Sequence, residues 1–393
     1  MPKLSVRQLE LAGKRVFLRA DLNVPLDGDR VGDDTRLRAA VPTIRHCLGA
    51  GAAVVLASHL GRPQGRPDPR YAMAPVATRL GELLSMEVPV APDCVGAITE
   101  ARAQALAPGQ IALLENLRFH PGEEANDPEF ARDLARLGDR YVNDAFATAH
   151  RAQASIDAIT RFLQPAAAGL LMERELAALG RILERPERPL LALLGGAKVS
   201  DKLGLVEQLL GRVDALAIGG AMAFTFLRAL GYDPGRSLVE PDLVEAARRT
   251  LAEGRRRGVQ IALPVDAVVA AEVESADGRA VGIREIPADL MGLDIGPATV
   301  QRFSDLVRTA RTVVWNGPMG VFERPPFAEG TLGVARAVAG MRGFSVVGGG
   351  DTLAAVHRAG VADRIGYLST AGGAFLEFLE GRKLPGVEAL TDA

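Results

Sequence analysis

Cysteine is nearly absent: the chain holds two, Cys47 and Cys94. They show no metal-like spacing, so neither a disulfide framework nor a cysteine-based metal site is expected, and both read as ordinary thiols. A strong charge of one sign is missing too. Net charge is −2, from 46 basic and 48 acidic residues, which argues against a nucleic-acid or membrane-surface protein. No apolar run approaches the length of a membrane span, and no basic, apolar leader opens the sequence. The expectation is a cytoplasmic protein. Standard nucleotide fingerprints are also lacking. Gly13-Lys14 is followed by Arg15 and makes no P-loop, and no G-x-G-x-x-G follows the first strand of either half. Protein-kinase signatures and H-E-x-x-H are absent as well, which counts against P-loop enzymes, common dinucleotide-dependent dehydrogenases and zinc hydrolases.

What is there is a long chain with ample apolar content. Its 393 residues, 48% hydrophobic and 24% charged, suit two well-buried domains. Short apolar runs alternate with amphipathic stretches to the end. The runs are Val16–Leu18, Ala52–Ala57, Ile111–Leu114, Leu190–Leu194, Ala215–Ile218, Ile261–Val269, Thr312–Trp315 and Ser345–Val347. They do not alternate with polar residues, which is how strands buried on both faces of a parallel sheet read. Helical patterns lie between them, among them Thr35–Leu48, Lys202–Leu210 and Asp242–Arg255. The fold class expected is α/β, with two doubly wound parallel-sheet lobes. Gln164–Gly169 reads as a loop, Leu170–Leu183 as a connecting helix, and Arg185–Pro189 as a break carrying two prolines. The division expected is a first lobe over residues 1–168, a linker over 169–188, a second lobe over 189–368 and a terminal segment over 369–393.

In an open α/β sheet, ligands bind beyond the carboxyl ends of the strands. In the first half those loops read RADLN (Arg19–Asn23), SHLGRP (Ser58–Pro63), ENLRFH (Glu115–His120) and NDAFATAHR (Asn143–Arg151). Arg36, His59, Arg62, Arg118 and Arg151 would together suit phosphate or carboxylate groups, because guanidinium forks take such oxygens bidentately. In the second half the loops are glycine-rich: GGAKVSDK (Gly195–Lys202), IGGAM (Ile218–Met222), NGPMGVFE (Asn316–Glu323), GGGDT (Gly348–Thr352) and STAGGA (Ser369–Ala374). Glycine permits close backbone approach, and a following helix offers free N–H groups to phosphate. Singly, each feature has a bland explanation. Asp351 could cap a helix, Asp21 and Asn23 could stabilise a turn before Pro25, and a lone arginine is usually a solvated charge. A ligand-like cluster at nearly every strand end has no such explanation.

These segments resemble the phosphoglycerate kinase family. The matching motifs are Arg19–Pro25 (RADLNVP), Ser58–Pro63, Leu114–Glu123 (LENLRFHPGE), Asp144–Arg151 (DAFATAHR), Gly195–Lys202, Trp315–Glu323 (WNGPMGVFE) and Gly348–Thr352. They occur in order along essentially the whole chain. The resemblance implies two lobes joined by a connector helix across a cleft, closing on two ligands. The last residues, after about Ser369, would return to the first lobe. It implies a cytoplasmic monomer that transfers the acyl phosphate of 1,3-bisphosphoglycerate reversibly to Mg-ADP, giving 3-phosphoglycerate and ATP. By motif match, Asp21, Asn23, Arg36, His59, Leu60, Gly61, Arg62, Arg118 and Arg151 would hold the glycerate. Lys198, Lys202, Gly292, Asn316, Glu323, Gly349, Gly350, Asp351 and Thr352 would hold the nucleotide, with Glu323 on the ribose and Asp351 on Mg2+. Arg36, Lys198, Lys202 and the N–H groups near Gly372 and Gly373 would serve the transfer itself. One departure is visible: Ala371 stands where the family commonly has glycine, which is tolerable if its φ is negative.

Overall fold

The computed structural model describes residues 2–393. Two compact units divide the chain. Unit 1 runs to Ala177 and regains Lys383–Ala393; unit 2 is Ala178–Arg382. The helix Leu170–Leu183 is therefore shared, Leu170–Ala177 in unit 1 and Ala178–Leu183 in unit 2.

Unit 1 is built on a five-stranded parallel sheet in the spatial order Ile111–Leu113, Ala53–Ala57, Arg15–Arg19, Arg140–Asn143, Ala166–Ala168. Ala53–Ala57 is buried throughout, as its unbroken run of Val, Leu and Ala requires, and Val16–Arg19 beside it is buried as well. The chain leaves Arg15–Arg19 toward one edge and later starts again on its other side with Arg140–Asn143. That reversal makes the loops after Arg19 and Asn143 the switch point of the sheet.

Unit 2 has a six-stranded parallel sheet in the order Gln260–Ala262, Ala215–Ile218, Leu190–Leu194, Thr312–Asn316, Phe344–Gly348, Tyr367–Ser369. Its switch point lies between Leu190–Leu194 and Thr312–Asn316, so the loops Gly195–Lys202 and Asn316–Glu323 leave from adjacent strand ends. Trp315 is fully buried in the core between this sheet and its helices.

The α/β class with parallel sheets is as expected; three local readings need correction. The run Ile261–Val269 is two strands, because Pro264 interrupts it. The second piece, Asp266–Ala270, pairs antiparallel with Arg279–Gly282 and Met291–Ile295 in a separate three-stranded sheet. The supposed loop Gln164–Gly169 contains the strand Ala166–Ala168. The tail turns back later than residue 369. Tyr367–Ser369 pairs within unit 2, and Phe375, fully buried, packs so closely on Gly348 that a Cβ there would meet its ring at 2.6 Å. The return to unit 1 begins at Lys383, where Gly386 N–H donates to Ala149 O at 2.8 Å and Thr391 N–H to Ala166 O at 2.9 Å. The split falls inside the connecting helix, within the stretch 169–188 read as the linker.

Candidate active site

In unit 1 the loops after the strands Arg15–Arg19, Ala53–Ala57 and Ile111–Leu113 form one hydrogen-bonded assembly. Arg36, second residue of the helix Thr35–Gly49, donates from Nη1 to Asp21 Oδ2 at 2.8 Å. Asp21 is buried, and its other oxygen accepts the Asn23 N–H at 3.1 Å. Asn23 Oδ1 in turn accepts the Gly61 N–H at 2.8 Å. Gly61 has φ +60°, and a Cβ there would lie 2.2 Å from the Tyr71 ring, so only glycine fits. Arg118, 4% exposed, donates from Nη1 to Gly61 O at 2.9 Å. Buried Asn116 holds Leu60 at both ends, accepting its N–H at 3.2 Å and donating to its carbonyl at 2.7 Å. Asp21, Asn23, Arg36, Leu60, Gly61 and Arg118 are thus tied together through one chain of hydrogen bonds.

His59 sits at the centre and is buried. Burial first, then the charges of Arg19, Arg118, Arg36 and Arg151, push its pKa well below the usual 6.5, so the ring is neutral at pH 7. Arg62 and Arg151 differ from Arg118 in being exposed, and Arg151 donates from Nε to His150 Nε2 at 3.2 Å.

A buried network behind the ring was missed in the sequence. Glu123, fully buried, accepts from Ser155 through both N–H (2.9 Å) and Oγ–H (2.6 Å). Ser155 Oγ accepts from Arg19 Nε at 2.9 Å, and Arg19 Nη2 lies 3.2 Å from His59 Nδ1. Arg19 and Glu123 both fall inside the motifs quoted above. The strand Arg15–Arg19, apolar but for its ends, was the available sign that its last residue is held inside.

In unit 2, Lys202 donates from Nζ to Gly195 O at 2.5 Å and to Asn316 O at 3.2 Å, bridging the two switch-point loops. Burial lowers its pKa to about 8, against the opposing charges of Asp201 and Asp351. Asn316 is buried and donates to Gly348 O at 2.8 Å; Thr352 Oγ1 accepts the Gly317 N–H at 2.7 Å. Gly349, at φ +96°, opens the helix Gly350–Arg358, where a Cβ would meet Asn316 Nδ2 at 2.7 Å. Asp351 lies in the first turn of that helix, past its N-cap Gly349, and is exposed. Lys198 and Glu323 are exposed side chains on the same loops. Gly292 is buried under Phe224, whose ring a Cβ would strike at 2.1 Å. Gly372 and Gly373 begin the helix Gly372–Leu379, and Ala371 before them has φ −93°, the sign that accommodates its methyl group.

Residues 6–382 match the family described as phosphoglycerate kinase. The chain belongs to the phosphoglycerate kinase family. It is 54% identical to the phosphoglycerate kinase of Desulfosudis oleivorans over 388 residues, 98% of each chain. It is 54% identical to that of Pelotomaculum thermopropionicum over the full length of both. Among solved structures, phosphoglycerate kinase from Coxiella burnetii superposes with a TM-score of 0.91 at 44% identity, covering 99% of this chain and 98% of that one. The Pyrococcus horikoshii enzyme gives 0.86 at 36% identity, with 98% of each covered. Membership of the phosphoglycerate kinase family makes the chain an enzyme of glycolysis. It transfers a phosphoryl group reversibly between 1,3-bisphosphoglycerate and ADP.

Proposed function

We propose that unit 1 holds the glycerate and unit 2 holds the nucleotide, and that the transfer needs no general base. The observation that carries this reading is the contrast between the units. In unit 1, the charges of Arg19, Arg118, Arg36 and Arg151 act on a buried, neutral imidazole. In unit 2, the switch-point loops are glycine-rich and carry Lys198, Lys202 and Asp351. Arg62, Arg118 and Arg151 grip the unreactive phosphate end of the glycerate, where bidentate forks suit it. Arg36, Lys202 and the N–H groups at Gly372 and Gly373 neutralise the phosphoryl group as it moves, and Lys198 follows it as a second cation. Glu323 takes the ribose hydroxyls, with Gly292, Asn316, Gly349, Gly350 and Thr352 lining the nucleotide. The nucleophile is a phosphate oxygen of ADP and the leaving group a carboxylate. Both are anionic at neutral pH, so positioning and charge neutralisation are what the protein supplies.

The family's nucleotide substrate is used with Mg2+. Asp351 fits that ion: it is an exposed, hard carboxylate donor at the end of the glycine loop, and its charge reaches Lys202. Bound there, Mg2+ would offset phosphate charge. Among the described residues no helix is long and apolar enough to cross a membrane; a cytoplasmic monomer remains part of this proposal. The test is steady-state ATP formation from 1,3-bisphosphoglycerate and Mg-ADP, repeated with Lys202→Ala and Arg36→Ala. Both variants should lose kcat. Full activity in either would remove that residue from the transfer.

A further inference from the structure

The loop Gly195–Lys202 does not leave all its N–H groups free, contrary to what its glycines and the helix after it suggested. Val199 and Ser200 both donate their backbone N–H to one carboxylate oxygen, Oε2 of Glu240, the Ser200 contact measuring 3.1 Å. Glu240 is anchored in turn, since its own N–H donates to Thr225 Oγ1 at 3.1 Å, and Thr225 is buried in the helix Met222–Ala229. On the other side, the Val199 carbonyl accepts the N–H groups of Lys202 at 2.9 Å and Leu203 at 2.8 Å. One continuous hydrogen-bonded path therefore joins a core helix, Glu240, the backbone between the two lysines, and Lys202. Burial alone would raise the Glu240 carboxyl. Hydrogen bonds from Ser200 and Val199 and the Lys198 charge hold it below its usual range.

We propose that Glu240 is a positioning residue for phosphoryl transfer, its carboxylate fixing the backbone from which Lys198 and Lys202 reach out. The proposal rests on the assignment of those lysines to the nucleotide phosphates. A negative charge beside a polyphosphate site opposes ligand binding electrostatically. Its value there is therefore geometric: two charge-assisted bonds to one oxygen hold a short loop that would otherwise sample many shapes. Small displacements of a catalytic cation are enough to slow a reaction about a hundredfold.

The experiment is steady-state kinetics of the full chain with Glu240→Ala, Glu240→Gln and Lys202→Ala, alongside thermal melts. Glu240→Ala should lower kcat about tenfold to a hundredfold, with the KM for 3-phosphoglycerate unchanged. Glu240→Gln keeps an oxygen that can accept both N–H groups and should recover most of the kcat, with a KM for Mg-ADP no higher than wild type. Glu240→Asp, one methylene short, replaces the alanine variant if that one does not fold, and should also be slow. Normal kcat in Glu240→Ala overturns the proposal while Lys202→Ala is impaired. So does a glutamine variant as slow as the alanine one, because charge and not hydrogen bonding would then be at work. Normal kcat in Lys202→Ala would instead reject the lysine assignment itself, so the two failures are distinguishable.

Discussion

Arg36→Ala gives the sharpest reading of how unit 1 divides its work. The substitution removes one guanidinium, the ion pair at 2.8 Å to Asp21, and no part of the Arg118–Gly61–Asn23 scaffold. Two effects compete. On stability, the arginine end is 35% exposed, and such pairs contribute about 0–1 kcal/mol. Asp21, whose side chain is 5% exposed, would lose one partner but keep the Asn23 N–H, which adds about 1–3 kcal/mol at most. On rate, losing one preorganised cation from a developing phosphoryl charge costs about 3–4 kcal/mol, roughly a hundred- to thousandfold in kcat. The rate effect exceeds the folding effect, so a folded but slow enzyme is expected. The KM for 3-phosphoglycerate should rise only modestly, because Arg62, Arg118 and Arg151 remain. Arg62→Ala or Arg151→Ala should show the reverse balance, with KM raised proportionately more. The assay is steady-state kinetics in the ATP-consuming direction, with melts to confirm folding. A near-normal kcat joined to a large KM defect in Arg36→Ala would refute the reasoning.

Two further outcomes follow from buried charges. Burial holds the Lys202 pKa at about 8, and an arriving phosphate should raise it, so ADP binding near pH 8 takes up protons. Calorimetry in buffers of differing ionisation enthalpy should show that uptake in wild type and lose it in Lys202→Arg; equal uptake in both would exclude Lys202 as its source. Asp144 accepts the N–H groups of Leu171 and Met172 at 2.8 and 3.1 Å, and burial raises its pKa from 3.8 to about 6. Its folded pKa lies above the unfolded one, so its contribution to stability is full below pH 3.8 and is lost as pH rises through about 6. Asp144→Asn cannot ionise and should gain stability relative to wild type across that window, measured by chemical unfolding; a constant difference between the two proteins would contradict the shift.

The sheets and the ligand loops were legible because buried parallel strands write themselves as apolar runs, and their carboxyl ends carry the polar clusters. Less visible were features that depend on which side chain is inside. Nothing in the sequence separates the buried Glu123 from a solvated glutamate, or marks Glu240 as the acceptor for a loop forty residues earlier. The strand Ala166–Ala168 follows a proline and is made of three alanines, a composition with little β preference, so it reads as loop. The tail was misplaced for a similar reason: Phe375 decides that the helix Gly372–Leu379 stays in unit 2, and its burial beneath Gly348 is a long-range fact.

The separation of the two ligands is the central claim, and crossed binding tests it most directly. Calorimetric titration of the full chain with 3-phosphoglycerate and with Mg-ADP would be run on wild type, Arg62→Ala, Arg151→Ala and Asp351→Asn. The arginine variants should weaken 3-phosphoglycerate and leave Mg-ADP nearly unchanged, and Asp351→Asn should do the opposite. If Asp351→Asn weakened both ligands equally, or the arginine variants weakened Mg-ADP, the assignment of one ligand to each unit would be wrong.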